Sequence, residues 1–295
     1  CLSVVSALRA LESSPELTGR LWVGTREAYA AESSSVDPSQ ALLWGLGRVA
    51  ALEHPERWGG LVDVEKAEGE SLADVLTRGA GEGEEQLALR GGRRFVPRLE
   101  SKPLPPAKAT TLVSAATYLV TGGQGELGLQ VARWMVKQGA RHLVLTARSA
   151  FPERSEWDAL EARGGDVAVR IAAVKEMEAA GATVVLARAD VSRREQMVAL
   201  LENVRATMPV LKGVVHAAGV STHARLRELD ASALDAVLAP KVEGAWHLHS
   251  LTQGDSLDFF VLFSSISAVW GSVGSGHYAA GNAFLDALAQ HRRAR

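Results

Sequence analysis

Residues 117–149, TYLVTGGQGELGLQVARWMVKQGARHLVLTARS, decide the fold. The apolar run ending in TG reads as a buried strand, LGLQVARWMVKQG as a helix, and HLVLTAR as the next strand. Between the first strand and the helix stand Gly122, Gly123, Gly125 and Gly128. Small residues there let the backbone approach a pyrophosphate, and the helix N-terminus offers N–H donors and the positive end of its dipole. Tight strand-to-helix turns also use glycine for steric reasons alone. Here the turn opens the first strand–helix–strand unit of a regular series, which favours dinucleotide binding.

The series continues toward the C-terminus. TVVLARADV, LKGVVHAAG and DFFVLFSS read as strands. RIAAVKEMEAAG, RREQMVALLENVRATM, ALDAVLAPKVEGAWHLHSLT and HYAAGNAFLDALAQHRR read as helices. Such alternation predicts an α/β fold with a doubly wound parallel sheet over residues 117–295. The segment FPERSEWDALEARGGDVAVRIAAVKEM is long for one loop and one helix and predicts an extra surface turn.

Residues 1–100 form a separate block. RLWVGT and GGLVDVE read as strands. Asp37-Pro38 gives PSQALLWGLGRVAALEHP an N-cap and a first-turn proline. ESLADVLTRGA reads as a helix with Gly79 and Gly81 beyond its end, and EQLALRGGRRFVPRLE as a hairpin around Gly91-Gly92. No acid–base constellation stands in this block, and His54, before Pro55, reads as a cap or surface residue. Residues 101–116, rich in Pro, Lys, Ala and Thr, read as an extended linker.

Of 295 residues, 47% are hydrophobic and the formal net charge is −2, an ordinary globular balance that gives no bulk-charge case for nucleic acid or membrane surfaces. The basic cluster His291-Arg292-Arg293-Ala294-Arg295 reads as a solvated helix end. The single cysteine, Cys1, excludes an intramolecular disulfide and a thiolate metal site, and no apolar run reaches membrane-span length. These features predict a cytoplasmic protein. Without an initiating Met, an opening strand for the first block or a strand after the last helix, the sequence is expected to be a piece of a longer chain.

The chemistry concentrates in residues 259–288, FFVLFSSISAVWGSVGSGHYAAGNAFLDAL. Ser265 stands where a strand hands over to a loop, and Tyr278 and Asn282, four apart, share one helix face. Tyrosine and serine in that setting predict proton donation to a carbonyl oxygen, half of a hydride transfer. A phenol is a poor proton shuttle near neutrality, and a neighbouring ammonium favours its ionised form, a role for Lys241. Lys241 could also hydrogen-bond the nicotinamide ribose. Ser265 would stabilise the developing oxyanion, and Asn282 would position a water or the lysine.

For the cofactor, Arg148 ends the second strand of the series, where an arginine suits a 2′-phosphate and so NADPH. Asp190-Val191 is placed to meet the adenine edge. Ala217-Ala218-Gly219 leaves room for the adenosine ribose and the nicotinamide half. His216 reads as structural, His247 and His249 face different ways and make a poor metal pair, and His277 is given no proton-transfer role.

TGGQGELG, HAAG, PKVEGAWHL and FVLFSSISAVWGSVGSGHYAAGNAFLDALA resemble the ketoreductase domain of modular (type I) polyketide synthases, within the short-chain dehydrogenase/reductase superfamily. WGLGRVAALEHPERWGGLVDVE and RRFVPRLE resemble that family's catalytically silent structural subdomain, a degenerate, truncated Rossmann-like half that precedes the catalytic one. The resemblance implies a structural subdomain over 1–100, N-terminally incomplete, and a Rossmann-like NADPH-binding catalytic subdomain over 117–295, C-terminally incomplete and without its lid. It implies a catalytic set of Lys241, Ser265, Tyr278 and Asn282, the lysine coming from the preceding helix because Asn282 holds the place four residues after the tyrosine. It extends the cofactor set to Thr121, Gln124, Leu127, Ser149 and Ser264. Ser221-Thr222-His223 replaces the Leu-Asp-Asp triplet of the B type, and Trp270, eight residues before Tyr278, is the mark of the A type. Ser275, three before Tyr278, argues against an epimerising subgroup.

The implied reaction is reduction of a β-ketoacyl thioester, carried on the phosphopantetheine arm of an acyl carrier protein, to an L-configured β-hydroxyacyl thioester. The other implied partners are the remaining domains of the synthase. A free-standing reductase of a diffusible ketone and a non-catalytic scaffold are the rival readings, and the complete four-residue set speaks against the second.

Overall fold

The computed structural model describes residues 1–31, 36–65, 72, 73, 75, 77, 83–104 and 111–295. In chain order its elements are α1 (Leu2–Glu12), β1 (Leu21–Arg26), α2 (Pro38–Glu53), β2 (Trp58–Val64), β3 (Gln86–Arg90), β4 (Arg93–Phe95) and β5 (Thr117–Thr121). There follow α3 (Glu126–Lys137), β6 (His142–Ala147), α4 (Trp157–Arg163), α5 (Asp166–Ala179), β7 (Thr183–Arg188), α6 (Arg194–Thr207) and β8 (Leu211–His216). The chain continues with α7 (Ala231–Lys241), α8 (Glu243–Leu251), β9 (Phe259–Leu262), α9 (Ser267–Trp270) and α10 (Gly276–Arg293). The helix expected at ESLADVLTRGA lies largely outside the described residues, as does part of the 101–116 segment.

The elements gather into two units that do not follow chain order. One comprises Leu104–Gly219 and Glu243–Phe263; the other comprises Cys1–Pro103, Val220–Val242 and Ser264–Arg295.

The first of these holds a five-stranded, all-parallel sheet in the order β7-β6-β5-β8-β9. Every residue of β5 is buried, as a central strand covered on both faces must be. Tyr118, Leu143, Leu145, Met135 and Ile171 pack on one side, and Leu119, Val144, Val214, Leu201 and Leu248 on the other. Strand order reverses between β5 and β8, and the glycine turn follows β5 at that switch point, where open α/β sheets bind ligands. The extra surface turn expected after β6 is present as α4, preceded by a 3₁₀ turn at Arg154–Glu156.

The second unit holds a four-stranded sheet, β1-β2-β3-β4, parallel except for the β3–β4 hairpin, whose Gly91 and Gly92 both take positive φ. Asp37 caps α2, its Oδ1 accepting from Ser39 N at 2.9 Å. Helices α2 and α10 meet at small residues: Gly45 stands against the Ala279 carbonyl with no room for a Cβ. Trp44, Leu46, Val49, Ala279 and Ala280 belong to one buried cluster there. Burying each large aliphatic side chain of this kind contributes about 1.5–3 kcal/mol. His54 is buried, not a surface residue: it is the C-cap of α2, and its Nδ1 bonds Glu12 Oε1 at 2.7 Å.

Two details of helix content differ from the expectation. The segment ALDAVLAPKVEGAWHLHSLT is two helices, α7 and α8, broken at Val242. Pro240 stands inside α7, two residues before that break, and removes one N–H from the last turn of the helix. The N-terminal residues form α1, which buries Val5 and Leu8. Among the described residues no helix is long and apolar enough to cross a membrane.

Candidate active site

All four expected catalytic residues lie in the same unit. Lys241 ends α7, Ser265 precedes α9, and Tyr278 and Asn282 occupy the first turns of α10. Lys241 is only 4% exposed, and its Nζ lies 5.1 Å from the centre of the Tyr278 ring. Its stem passes Gly281, where a Cβ would stand 3.1 Å from Lys241 Cδ, so a glycine at 281 makes space for the lysine. Burial pushes the Lys241 ammonium down to about 8, opposed by the charge of Asp286.

Asn282 is fully buried. Its Nδ2 donates to the Tyr278 carbonyl at 2.9 Å, and its Oδ1 has no partner among the described residues, an acceptor left open for a water or an ammonium. Ser265 Oγ accepts from Ser267 N at 3.3 Å and from Ser267 Oγ at 3.1 Å, which leaves its own proton to donate. Ser264, expected at the cofactor, donates from Oγ to the Asn282 carbonyl at 3.2 Å. Trp270 is 58% exposed at the end of α9, beside the exposed Ile266 and Val269, and Val273 is exposed just beyond.

His277 is wholly buried and bonds Thr222 Oγ1 through Nε2 at 2.7 Å. Burial, then the neighbouring His223, lowers its pKa. Its partner could not be read from the sequence, because residues 222 and 277 meet only through the tertiary fold.

The other unit carries the glycine turn. Gly122 takes φ +69°, and a Cβ on it would stand 2.7 Å from Ala218 N and 2.8 Å from the Ala217 carbonyl oxygen. Gly128 stands against the Gly122 carbonyl, again without room for a Cβ. Those glycines let the turn fold tightly beside Ala217-Ala218-Gly219. Gly125 differs: a Cβ there would meet only the Gly122 carbonyl oxygen, at 3.3 Å. Gly125 is also the N-cap of α3 and offers no side-chain cap, so the first N–H groups of a 12-residue helix remain available. The cradle fits a pyrophosphate.

Around it, Thr121 and Gln124 have their side chains engaged within the unit. Thr121 Oγ1 bonds His216 Nδ1 at 2.7 Å, and Gln124 Nε2 donates to the Leu145 carbonyl at 3.2 Å. His216 is therefore structural. Leu127 is exposed on the first turn of α3. Asp190 Oδ1 accepts from Ser192 N at 3.0 Å, and Val191 is buried against Gly244. His247 Nδ1 bonds the Val191 carbonyl at 3.1 Å, whereas His249 pairs with Gln253.

Arg148 and Ser149 are exposed at the end of β6. The sequence reading missed Arg188. It is the register partner of Ala147 on β7, and its Nε donates to the Arg148 carbonyl at 3.2 Å. Neither arginine pairs with a carboxylate among the described residues. The signal was two arginines ending two adjacent strands, legible only once β6 and β7 were known to be neighbours.

Comparison with known proteins matches residues 116–295 to the KR domain family and residues 1–99 to the polyketide synthase extender module SpnB, Rossmann fold domain. The chain is 43% identical over 277 residues to erythronolide synthase EryA3 of Saccharopolyspora erythraea, covering 93% of this chain and 8% of that protein. It is 40% identical over 279 residues to 5-methyl-1-naphthoate synthase of Streptomyces sahachiroi, covering 94% of this chain and 15% of that protein. A solved A1-type ketoreductase superposes with TM-score 0.85 at 40% identity, covering 99% of this chain and 59% of that one. A solved structure of A-type ketoreductases from a modular polyketide synthase gives the same TM-score and identity, covering 98% and 60%. The chain thus spans a small part of its curated relatives and about three-fifths of these solved ketoreductases. With a Rossmann-like sheet, a tyrosine–lysine pair and these matches, the chain belongs to the KR domain family of modular polyketide synthases.

Proposed function

We propose that the chain is an NADPH-dependent β-ketoacyl reductase of polyketide biosynthesis. Its substrate is a β-ketoacyl thioester on the phosphopantetheine arm of an acyl carrier protein, and its product a β-hydroxyacyl thioester. Residues 1–100 serve as the structural subdomain and 117–295 as the catalytic one, working beside the other domains of a cytoplasmic synthase.

The observation that carries this reading is Lys241, buried beside the Tyr278 ring with the open Asn282 Oδ1 on the same helix as the tyrosine. Tyr278 Oη gives its proton to the substrate's β-carbonyl oxygen as that oxygen gains negative charge, and Ser265 Oγ–H donates to the same oxygen. Lys241 favours the ionised phenolate left behind. Asn282 Oδ1 holds the water through which Tyr278 is reprotonated.

NADPH, when bound, would supply the hydride for the β-carbon. Gly122, Gly123, Gly125 and the first turn of α3 would hold its pyrophosphate. Arg148, with Ser149 and Arg188 beside it, would hold the 2′-phosphate, since two guanidinium groups without carboxylate partners among the described residues favour a dianion over a ribose diol. Trp270, and Ser221-Thr222-His223 in place of an acidic triplet, support an L-configured hydroxyl, in keeping with the A-type relatives.

The test is to supply the protein with NADPH and a β-ketoacyl thioester and to resolve the product on a chiral phase. Cofactor oxidation with an L-hydroxyl product supports the proposal. No oxidation overturns it, and a D-hydroxyl removes Trp270 from stereocontrol.

A further inference from the structure

We infer that Glu53, on the last turn of α2, is a positioning residue for this reaction, acting from the part of the chain whose sequence carries no acid–base set. The inference rests on the ketoreductase reading. Glu53 Oε1 accepts from Gly274 N at 2.7 Å, and its Oε2 accepts from Leu226 N at 2.8 Å. One carboxylate thus ties together two segments 48 residues apart in sequence, by the difference of those numbers.

Those segments meet just ahead of Tyr278 in the chain. Ala224 N donates to the Gly274 carbonyl at 2.9 Å, and Ala224 and Ser275 form a parallel bridge. The His223 ring lies over Gly274, which takes φ +76° and leaves no room for a Cβ. Thr222 Oγ1 bonds His277 Nε2, one residue before Tyr278. Residues 222–226 therefore run alongside 274–277, and the Glu53 carboxylate fastens the end remote from the tyrosine. Charge-assisted bonds from a carboxylate to backbone N–H groups are among the stronger protein hydrogen bonds, so this is a firm tether.

The same helix grips the serine side. Arg48, five residues before Glu53, donates from Nη1 to the Ala268 carbonyl in α9, directly after Ser265. It is itself fixed by the Tyr29 hydroxyl at 2.6 Å and Gln86 Oε1 at 3.0 Å. Helix α2 also packs backbone-close on α10 at Gly45 and Ala279. A single helix therefore references the Ser265 segment, the Tyr278 segment and residues 222–226 to one rigid body. A ketone must present one face, and misplacement by a fraction of an ångström is enough to lose orientation.

The test compares wild type with Glu53→Gln and Glu53→Asp, measuring thermal unfolding, NADPH dissociation constant, KM, kcat and product enantiomer ratio. In Glu53→Gln the side chain keeps one acceptor oxygen and turns an amide donor toward the other N–H. We expect NADPH affinity to stay within about twofold, thioester kcat/KM to fall by about tenfold, and the minor enantiomer to rise in both variants. Variants that bind NADPH normally yet keep the wild-type kcat/KM and enantiomer ratio overturn the inference. If Glu53→Gln does not fold, Glu53→Asp, whose shorter side chain cannot reach both N–H groups, decides it, and an unchanged kcat/KM and enantiomer ratio there overturn the inference. A wild-type protein that reduces no thioester overturns the ketoreductase reading itself, a result distinct from either variant outcome.

Discussion

Lys241 Nζ lies 5.1 Å from the centre of the Tyr278 ring, on a side chain almost without solvent. A lysine so placed weakens the fold. Burial lowers its pKa from 10.5 to about 8, a change worth roughly 3 kcal/mol. Below pH 8 the folded state holds the buried charge and bears that whole cost. Between pH 8 and 10.5 the unfolded chain keeps the proton and the folded one does not, so stability rises with pH across that window. Lys241→Met should therefore raise the unfolding free energy by up to about 3 kcal/mol at pH 7, with the gain gone near pH 10.5, while reduction is lost. Denaturant unfolding at both pH values checks this; a gain that does not depend on pH contradicts it.

On the proposed mechanism the same ionisation limits the reaction. The lysine supports an ionised phenol only while it carries its proton, which in the free protein it loses as pH passes about 8. The pH profile of kcat/KM should turn downward near that value. A profile flat well above it would separate Lys241 from catalysis.

Arg148 is exposed at the end of β6 with Arg188 as its neighbour on β7. Arg148→Glu should weaken NADPH binding by about 10- to 100-fold, the worth of a charge-assisted contact, and leave NADH nearly unchanged. Fluorescence titration with both nucleotides measures the ratio. An unaltered ratio removes Arg148 from the cofactor site.

Gly45 stands where α2 meets the Ala279 carbonyl of α10. Gly45→Ala forces a methyl against backbone that cannot yield, and should cost about 1–3 kcal/mol despite the better helix propensity of alanine. Equilibrium unfolding decides the sign, and a more stable variant would contradict the close packing of these helices.

What the sequence made legible was local. The glycine turn, the strand–helix alternation and the Tyr278–Asn282 spacing are read over a few residues, and β5 through β9 follow from them. Pro240 signalled the break between α7 and α8, but the apolar pattern running through it concealed the boundary. Lys241 is reached from the chemistry a tyrosine needs and from the resemblance, not from spacing, because 37 positions separate it from Tyr278 and only packing brings them together. The same holds for Arg188 beside Arg148 and for Thr222 on His277. Glu53 was invisible for a further reason: its partners are backbone N–H groups, which leave no side-chain signature.

The most direct test of the account is Tyr278→Phe, which removes one hydroxyl and keeps the ring against Lys241. NADPH consumption on a carrier-bound β-ketoacyl thioester and NADPH binding are measured on the same preparation. We predict that reduction falls by about 10²- to 10⁴-fold or more while the NADPH dissociation constant stays within about twofold. Undiminished turnover in that variant would contradict proton donation by Tyr278, and with it the mechanism.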